Sequence, residues 1–403
     1  MQHFRLRIIF FIIICLVAGY GYLFAGSKYY INGLGSQSYF TQADAFGRGG
    51  TIIAVPDMNS VNTFNPAGLI FADITHISAD FYHETIQSQY QAFEGVSHYS
   101  NVHGVRLAIP LAVNKFVISV GIKPILRNDY KAETEGELST GNQYTKQIIN
   151  KGGLSRINLG LATGIKNRVY LGAYLNYNFG KIEQNWRVNF VSDLLIDTSD
   201  RLVSKVWAPN FTAGMMVRVM KGFHLGLVYS QPFDLNGDRL IRYVFGESSE
   251  KVDVGLKIPA GLGIGASYNM NEKIRYSLDY YTQRWSNVEL VSENESNYTD
   301  NHHISAGIEF LPTKKAFTSF YKKINYRIGF HYANLGIKDN GTAVSEYLGT
   351  AGMGIPFYGG YGRIDFGIGY GKRGSLESHS VEESVLRFFL TITGGEKWFV
   401  RPR

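Results

Sequence analysis

The chain has 403 residues and a formal net charge of +7, with 45 glycines, 27 tyrosines, 26 phenylalanines, 10 prolines and one cysteine. A mean hydropathy of -0.10 excludes a polytopic helical membrane protein, since no apolar run after residue 25 approaches the ~20 residues a spanning helix needs. High Tyr, Phe and Gly fit a barrel whose lipid-facing and lumen-facing residues alternate between aromatic girdles, although a large soluble β-sandwich or propeller shares that composition.

Residues 1–25 read as a signal peptide. Arg5 and Arg7 make a positive n-region, Ile8 to Val17 is apolar, and small residues follow at Ala25, Gly26 and Ser27, which sets cleavage near Ala25. An uncleaved anchor is the alternative, but glycines and tyrosines break the run from Ala18 onward. Cys15 follows Ile14 where lipidation wants a small residue, so no lipid anchor is expected. The mature chain would then lack cysteine, and with it any disulfide framework or thiolate chemistry. Losing Arg5 and Arg7 leaves 38 basic residues against 33 acidic ones, a net charge of +5. That charge is spread without an Arg/Lys run. It reads as loop and lumen charge facing anionic lipopolysaccharide and not as a nucleic-acid footprint.

The stretch from Gly47 to Leu69 behaves as neither helix nor strand. Gly47, Gly49 and Gly50 permit φ > 0, Pro56 and Pro66 remove amide donors, and Asp57, Asn59, Ser60, Asn62 and Asn65 fix tight local turns. It still carries Ile52, Ile53, Val55, Phe64 and Leu69, so it is expected to pack inside something. Its Arg48-Gly49-Gly50 turn, its Ala54/Asp57 step and then Asn65-Pro66-Ala67-Gly68-Leu69 resemble the N-terminal hatch of FadL-type outer-membrane transporters of long-chain fatty acids and hydrocarbons.

From Thr75 onward the chain alternates with period two. On Val169 to Phe179, Val169, Leu171, Ala173, Leu175, Tyr177 and Phe179 share one face, and Gly172, Tyr174, Asn176 and Asn178 the other. The pattern recurs to Leu386–Ile392. Short turns at Asn114-Lys115, Lys166-Asn167 and Asn269–Glu272 contrast with long polar stretches at Ala132–Lys151, Asp193–Lys205, Asp234–Lys251 and Ser292–Asn301, which read as loops. Short turns at one end and long loops at the other predict an all-β, transmembrane antiparallel β-barrel of about 14 strands, and the resemblance adds an N-terminal hatch (plug). The expected division is a signal peptide over 1–25, a hatch over 26–72, the barrel over 73–395 and a periplasmic tail over 396–403. Further segments resemble the middle of FadL-type sequences, among them Gly226 to Phe233, Leu262 to Tyr268, Asp279 to Trp285 and Tyr326 to Phe330.

Catalytic signatures are weak. The chain has no HExxH and no G-x-S-x-G elbow, and the adjacent His302 and His303 point to opposite faces of a strand. No enzyme activity, metal or cofactor is expected. Strand parity turns Arg106, Arg156, Arg218, Arg275, Arg327 and Arg387 inward, because arginine at mid-membrane on a lipid face costs ~2–4 kcal/mol. Either these charges pair with one another and with the hatch through Asp44, Asp57 or Arg48, or one of them meets a ligand carboxylate. Arg106, Arg156, Arg327 and Arg387 are the candidates for that contact.

Pro124, near Gly121 on the third strand, forces a bulge or marks a strand end. The resemblance implies a kinked third strand there, with a lateral opening through which a hydrophobic ligand leaves. It also implies passive uptake of hydrophobic compounds in the bacterial outer membrane, with Arg48, Gly49, Gly50, Asn65, Pro66, Ala67 and Gly68 as hatch and gating residues. The expected partners are long-chain fatty acids or hydrocarbons, outer-membrane lipid and lipopolysaccharide, and the barrel assembly machinery; either Phe389 and Trp398 serve that machinery or the tail plugs the periplasmic mouth. Nucleic acid is not expected. The rival readings are a secretion or surface-assembly component sharing the hatch motif, and a purely structural barrel.

Overall fold

A computed structural model describes residues 26–30, 35–90, 94–192, 194–243, 246–253, 256–287, 298–313 and 318–398. The signal-peptide reading of residues 1–25 and the tail beyond Trp398 lie outside these residues.

Nineteen strand segments join one antiparallel sheet. In chain order they are β1 (Ser36–Gln37), β2 (Thr75–Gln89), β3 (Glu94–Ala112), β4 (Phe116–Arg127), β5 (Tyr130–Glu137) and β6 (Gln143–Ile165). Then come β7 (Val169–Phe190), β8 (Thr198–Met220), β9 (Phe223–Ser230), β10 (Phe233–Tyr243), β11 (Gly246–Asp253), β12 (Leu256–Ile258) and β13 (Gly261–Met270). The last are β14 (Ile274–Gln283), β15 (Tyr298–Phe310), β16 (Asn325–Asp339), β17 (Thr342–Phe357), β18 (Gly362–Arg373) and β19 (Glu382–Glu396). β5 continues the course of β4, β10 that of β9 beyond Pro232, and β11 and β12 lead into β13, so the wall is a 14-strand barrel. It closes where β19 pairs with β2, from Thr75↔Glu396 to Gln89↔Glu382.

The wall follows from the alternation. Leu175, Leu262, Ile264, Leu278 and Ile328 are exposed on the outside, while Ser267, Ser277, Asp279 and Arg327 are buried within. Hairpins such as β6–β7 turn on Lys166 and Asn167, both at positive φ (48° and 51°), the geometry that matches strand twist in a two-residue turn. Among the described residues no helix is long and apolar enough to cross a membrane; the barrel crosses with strands.

Three stretches read as loops are largely strand instead. Ala132–Lys151 lies in the β5–β6 hairpin, paired from Tyr130↔Asn150 to Glu137↔Gln143. Much of Asp193–Lys205 belongs to β8, and Asp234–Lys251 spans β10 and most of β11, paired with each other. β6, β7 and β8 run for 23, 22 and 23 residues, about twice the ~9–11 a membrane strand needs. One flank of the barrel therefore stands well above the bilayer at the end opposite the short turns. With both faces wet, these extensions carry no apolar alternation.

Candidate functional site, the filled lumen

The N-terminal segment runs inside the barrel. A short helix over Ala43–Gly47 and a 3-10 turn over Pro66–Phe71 are almost wholly buried. Between them Gly49 and Gly50 take φ of 71° and 97°, which lets the chain reverse against the wall. Glycines on the inner face of the wall admit it. A Cβ on Gly329 would lie 2.1 Å from the Gly49 nitrogen, and one on Gly214 would lie 2.0 Å from Asn65 Oδ1.

Polar contacts fasten the segment at several points. The Ile52 and Ile53 amides both donate to Asp279 Oδ2, at 2.6 and 2.8 Å. Gly49 N–H donates to Thr350 Oγ1 at 3.0 Å. Arg48 meets Asp44 at 3.1 Å and Glu309 at 3.5 Å. Asp57 takes two hydrogen bonds from Arg363. Asn65 caps the 3-10 turn by accepting from Ala67 N–H at 3.0 Å, and its amide donates to the Ile53 and Met215 carbonyls. Pro66 opens that turn where no amide is needed. Gly68 packs on Asn62, whose side chain a Cβ there would strike.

Four arginines were expected to face the lumen as ligand or hatch contacts, and the wall sorts them. Arg106 pairs with Asp80 and donates to Gln42 Oε1 on the inner segment. Arg327 bridges Glu309 at 2.8 Å and Asp365 at 2.6 Å. Arg387 bridges Glu84 and Glu346, both at 2.7 Å. Arg275 likewise meets Glu309, while Arg218 is exposed at the short-turn rim.

Arg156 is different. Its Nε donates to Asn178 Oδ1 at 2.7 Å and its guanidinium lies 5.9 Å from the Phe233 ring. Lys123 donates to the Thr63 carbonyl at 2.9 Å. Among the described residues neither cation has a carboxylate partner. Both line a cavity of about 110 Å³, together with Phe64, Tyr281, Phe233 and Trp285. An apolar cluster of Leu126, Leu154, Val206, Leu235 and Ile258 adjoins it. Lys123 was missed from sequence. The available signal was a lysine on the inward parity of Gly121, immediately before Pro124.

The wall is incomplete beside this cavity. β3 pairs with β4 only from Val105↔Ile122 to Ala112↔Phe116, so its edge from Glu94 to Gly104 has no β4 partner, while its other edge pairs with β2 from Glu94 to Ala108. β4 keeps β6 as a neighbour, with a register shift between Pro124 and Leu126. Beyond that shift its other edge takes β1, Ser36↔Arg127 and Gln37↔Leu126. A proline in a ladder removes a donor and favours such a bulge. Gly121 is paired on both sides, with Arg106 and Asn158, so the departure starts beyond it. Arg127 stands at the gap, paired with Glu84 and 4.1 Å from the Tyr99 ring centroid.

His302 and His303 do point apart. His303 is buried and stacks on Tyr39 at 4.1 Å, while His302 meets Tyr280 on the exposed side. Among the described residues no group of three His, Cys, Asp or Glu is placed to hold a metal.

Solved structures share this architecture. The toluene transporter TbuX of Ralstonia pickettii superposes with a TM-score of 0.62 at 15% identity, covering 89% of this chain and 98% of its own. A FadL homologue of Pseudomonas aeruginosa gives 0.61 at 12% identity, covering 89% and 99%. The CymD monoaromatic hydrocarbon channel gives 0.60 at 15%, covering 89% and 98%. These neighbours are transport channels, and the likeness gives the chain a FadL-type barrel fold. No curated protein matches the chain in sequence. With that outer-membrane barrel fold, the chain is placed in the bacterial outer membrane. The family model described as BamG matches residues 2–403, and the chain belongs to the BamG family.

Proposed function

We propose that the chain is a channel for passive uptake of hydrophobic compounds, with long-chain fatty acids as the leading class. The observation that carries this reading is the pair Arg156 and Lys123, two cations without carboxylate partners among the described residues, at an aromatic cavity beside the inner segment. Arginine binds carboxylates bidentately, so an apolar acid fits better here than the uncharged hydrocarbon named for CymD. A carboxylate drawing Lys123 away frees the Thr63 carbonyl, which loosens the inner segment from its cavity side. Hatch movement then proceeds around Arg48, Gly49, Gly50 and Asn65 to Gly68. The unpaired edge of β3, opposite Pro124, is the lateral exit into the membrane.

The test is lipid extraction with mass spectrometry of the purified barrel, alongside uptake of a labelled long-chain fatty acid by cells carrying it. A co-purifying acid lost in the Arg156→Ala, Lys123→Ala double variant is the expected result. Uptake equal to that of cells lacking the protein overturns the reading.

A second reading, a surface-assembly or secretion component, is favoured by the tall flank of β6 to β8. Beyond the bilayer it exposes Trp186, Val191, Leu194 and Ile196 at and near its upper edge, a patch suited to a protein surface. The barrel assembly machinery is then a lasting partner and not a passing one. Co-purification of its subunits with the wild-type barrel, lost in a Trp186→Glu, Leu194→Glu variant, would favour this reading.

A further inference from the structure

On the outside of β6 to β8 three layers succeed one another. Leu159, Leu175 and Phe211 lie level with each other and exposed, which is lipid-facing surface. Above them Tyr177 stacks with Phe179 at 6.1 Å and with Trp207 at 6.4 Å. Such aromatic rows mark the membrane interface. Two residues further, about 7 Å along the strands at the usual rise, the face turns cationic. Lys181 sits directly opposite Lys205, and two same-face steps higher, about 13 Å along the strand at the usual rise, Arg201 sits opposite Arg242.

Like charges directly opposed across a sheet are destabilising unless something neutralises them. Within the protein that relief is partial. Glu183 pairs with Lys181 and Arg201, and among the described residues neither Lys205 nor Arg242 has a carboxylate partner. Asp238 faces Lys205 across the sheet. The short turns mark the periplasmic end of such barrels, so this flank rises from the outer leaflet. Its cations stand at the depth of that leaflet's headgroups.

We infer that this patch binds the phosphorylated headgroup of an outer-leaflet glycolipid. The phosphate sits between Lys181 and Lys205, Arg201 and Arg242 hold its sugar-proximal side, and the acyl chains lie on Leu159, Leu175 and Phe211. The order of layers matches that of the lipid: anion, interface, hydrocarbon. The opposed lysines then share a counter-charge beyond the one that Glu183 gives Lys181.

Native mass spectrometry of the detergent-released full barrel, titrated with bis-phosphorylated lipid A and with its dephosphorylated form, tests this. The wild type should retain the phosphorylated lipid roughly thirtyfold more tightly than a Lys181→Gln, Lys205→Gln variant, if each cation contributes its usual surface attraction. Heat-modifiable electrophoretic mobility checks that the variant is folded. The wild type alone gives a second readout, because retention should fall as salt rises. Equal retention of the dephosphorylated lipid, or salt-independent retention, overturns the inference. So does displacement by inorganic phosphate at the concentration of the lipid, which would make the patch a site for free phosphate.

Discussion

Asp57 and Arg363 join the inner segment to β18 through two parallel hydrogen bonds, 3.0 and 2.9 Å long. Both side chains are largely withdrawn from water, at 13% and 4% exposure. Arg363 also holds Asp365, which holds Arg327, which holds Glu309, where Arg48 returns to the inner segment. The inner segment is thus tied to the wall by a continuous chain of charges.

Losing the Asp57 charge removes two charge-assisted hydrogen bonds and leaves Arg363 buried with Asp365 as its remaining close partner. Asp57→Asn should therefore weaken the seating of the inner segment by about 1.5–3 kcal/mol, with no strand pair lost. The barrel should stay heat-resistant in detergent while a small hydrophilic dye enters cells more readily. Unchanged dye entry would mean that the latch does not seal.

Backbone contact at the inner-face glycines gives a second expectation. Gly214→Ala pushes a methyl onto Asn65 Oδ1, and overpacking of this kind costs about 1–3 kcal/mol. The shift should fall on residues 62–68, read as faster amide exchange there, while β7 and β8 keep their protection. Faster exchange spread evenly over the wall would contradict it.

The lipid face and the cavity should respond differently to charge. Leu175 is 62% exposed just below the aromatic row, and Leu175→Arg should cost about 1–2 kcal/mol, between the mid-membrane and interfacial values, seen as lost folded yield. Asn176→Arg points into the cavity and should be milder. Ser277 is not an equivalent inward site, because its hydroxyl meets Thr51 Oγ1 at 2.7 Å, so Ser277→Arg should strike the inner segment. Similar yields for the Leu175 and Asn176 variants would invert the facing of β7.

Topology has its own measurement. A protease acting on intact cells should cut at residues 138–142, the tip between β5 and β6, and spare Lys166-Asn167. Cutting at Lys166-Asn167 alone would turn the barrel over.

The wall was legible in the sequence because lipid on one side and a crowded lumen on the other impose strict alternation, as on Val169 to Phe179. The upper halves of β6, β8 and β10 were not, because water on both faces removes the contrast that alternation needs. The lumenal arginines could be placed inward by parity. Their partners could not, since Arg387 with Glu84 and Arg363 with Asp57 are separated by 303 and 306 residues. Arg156 looked like its neighbours in sequence, and only the three-dimensional arrangement sets it apart.

The inner segment also bears on how the molecule is made. Its contacts reach Arg106 on β3, Met215 on β8, Asp279 on β14 and Thr391 on β19. A segment bonded to both early and last strands completes its contacts only when β19 meets β2. Final seating and ring closure are therefore one event, and the inner segment, which precedes the wall in the chain, serves as the mandrel around which the later part is wound.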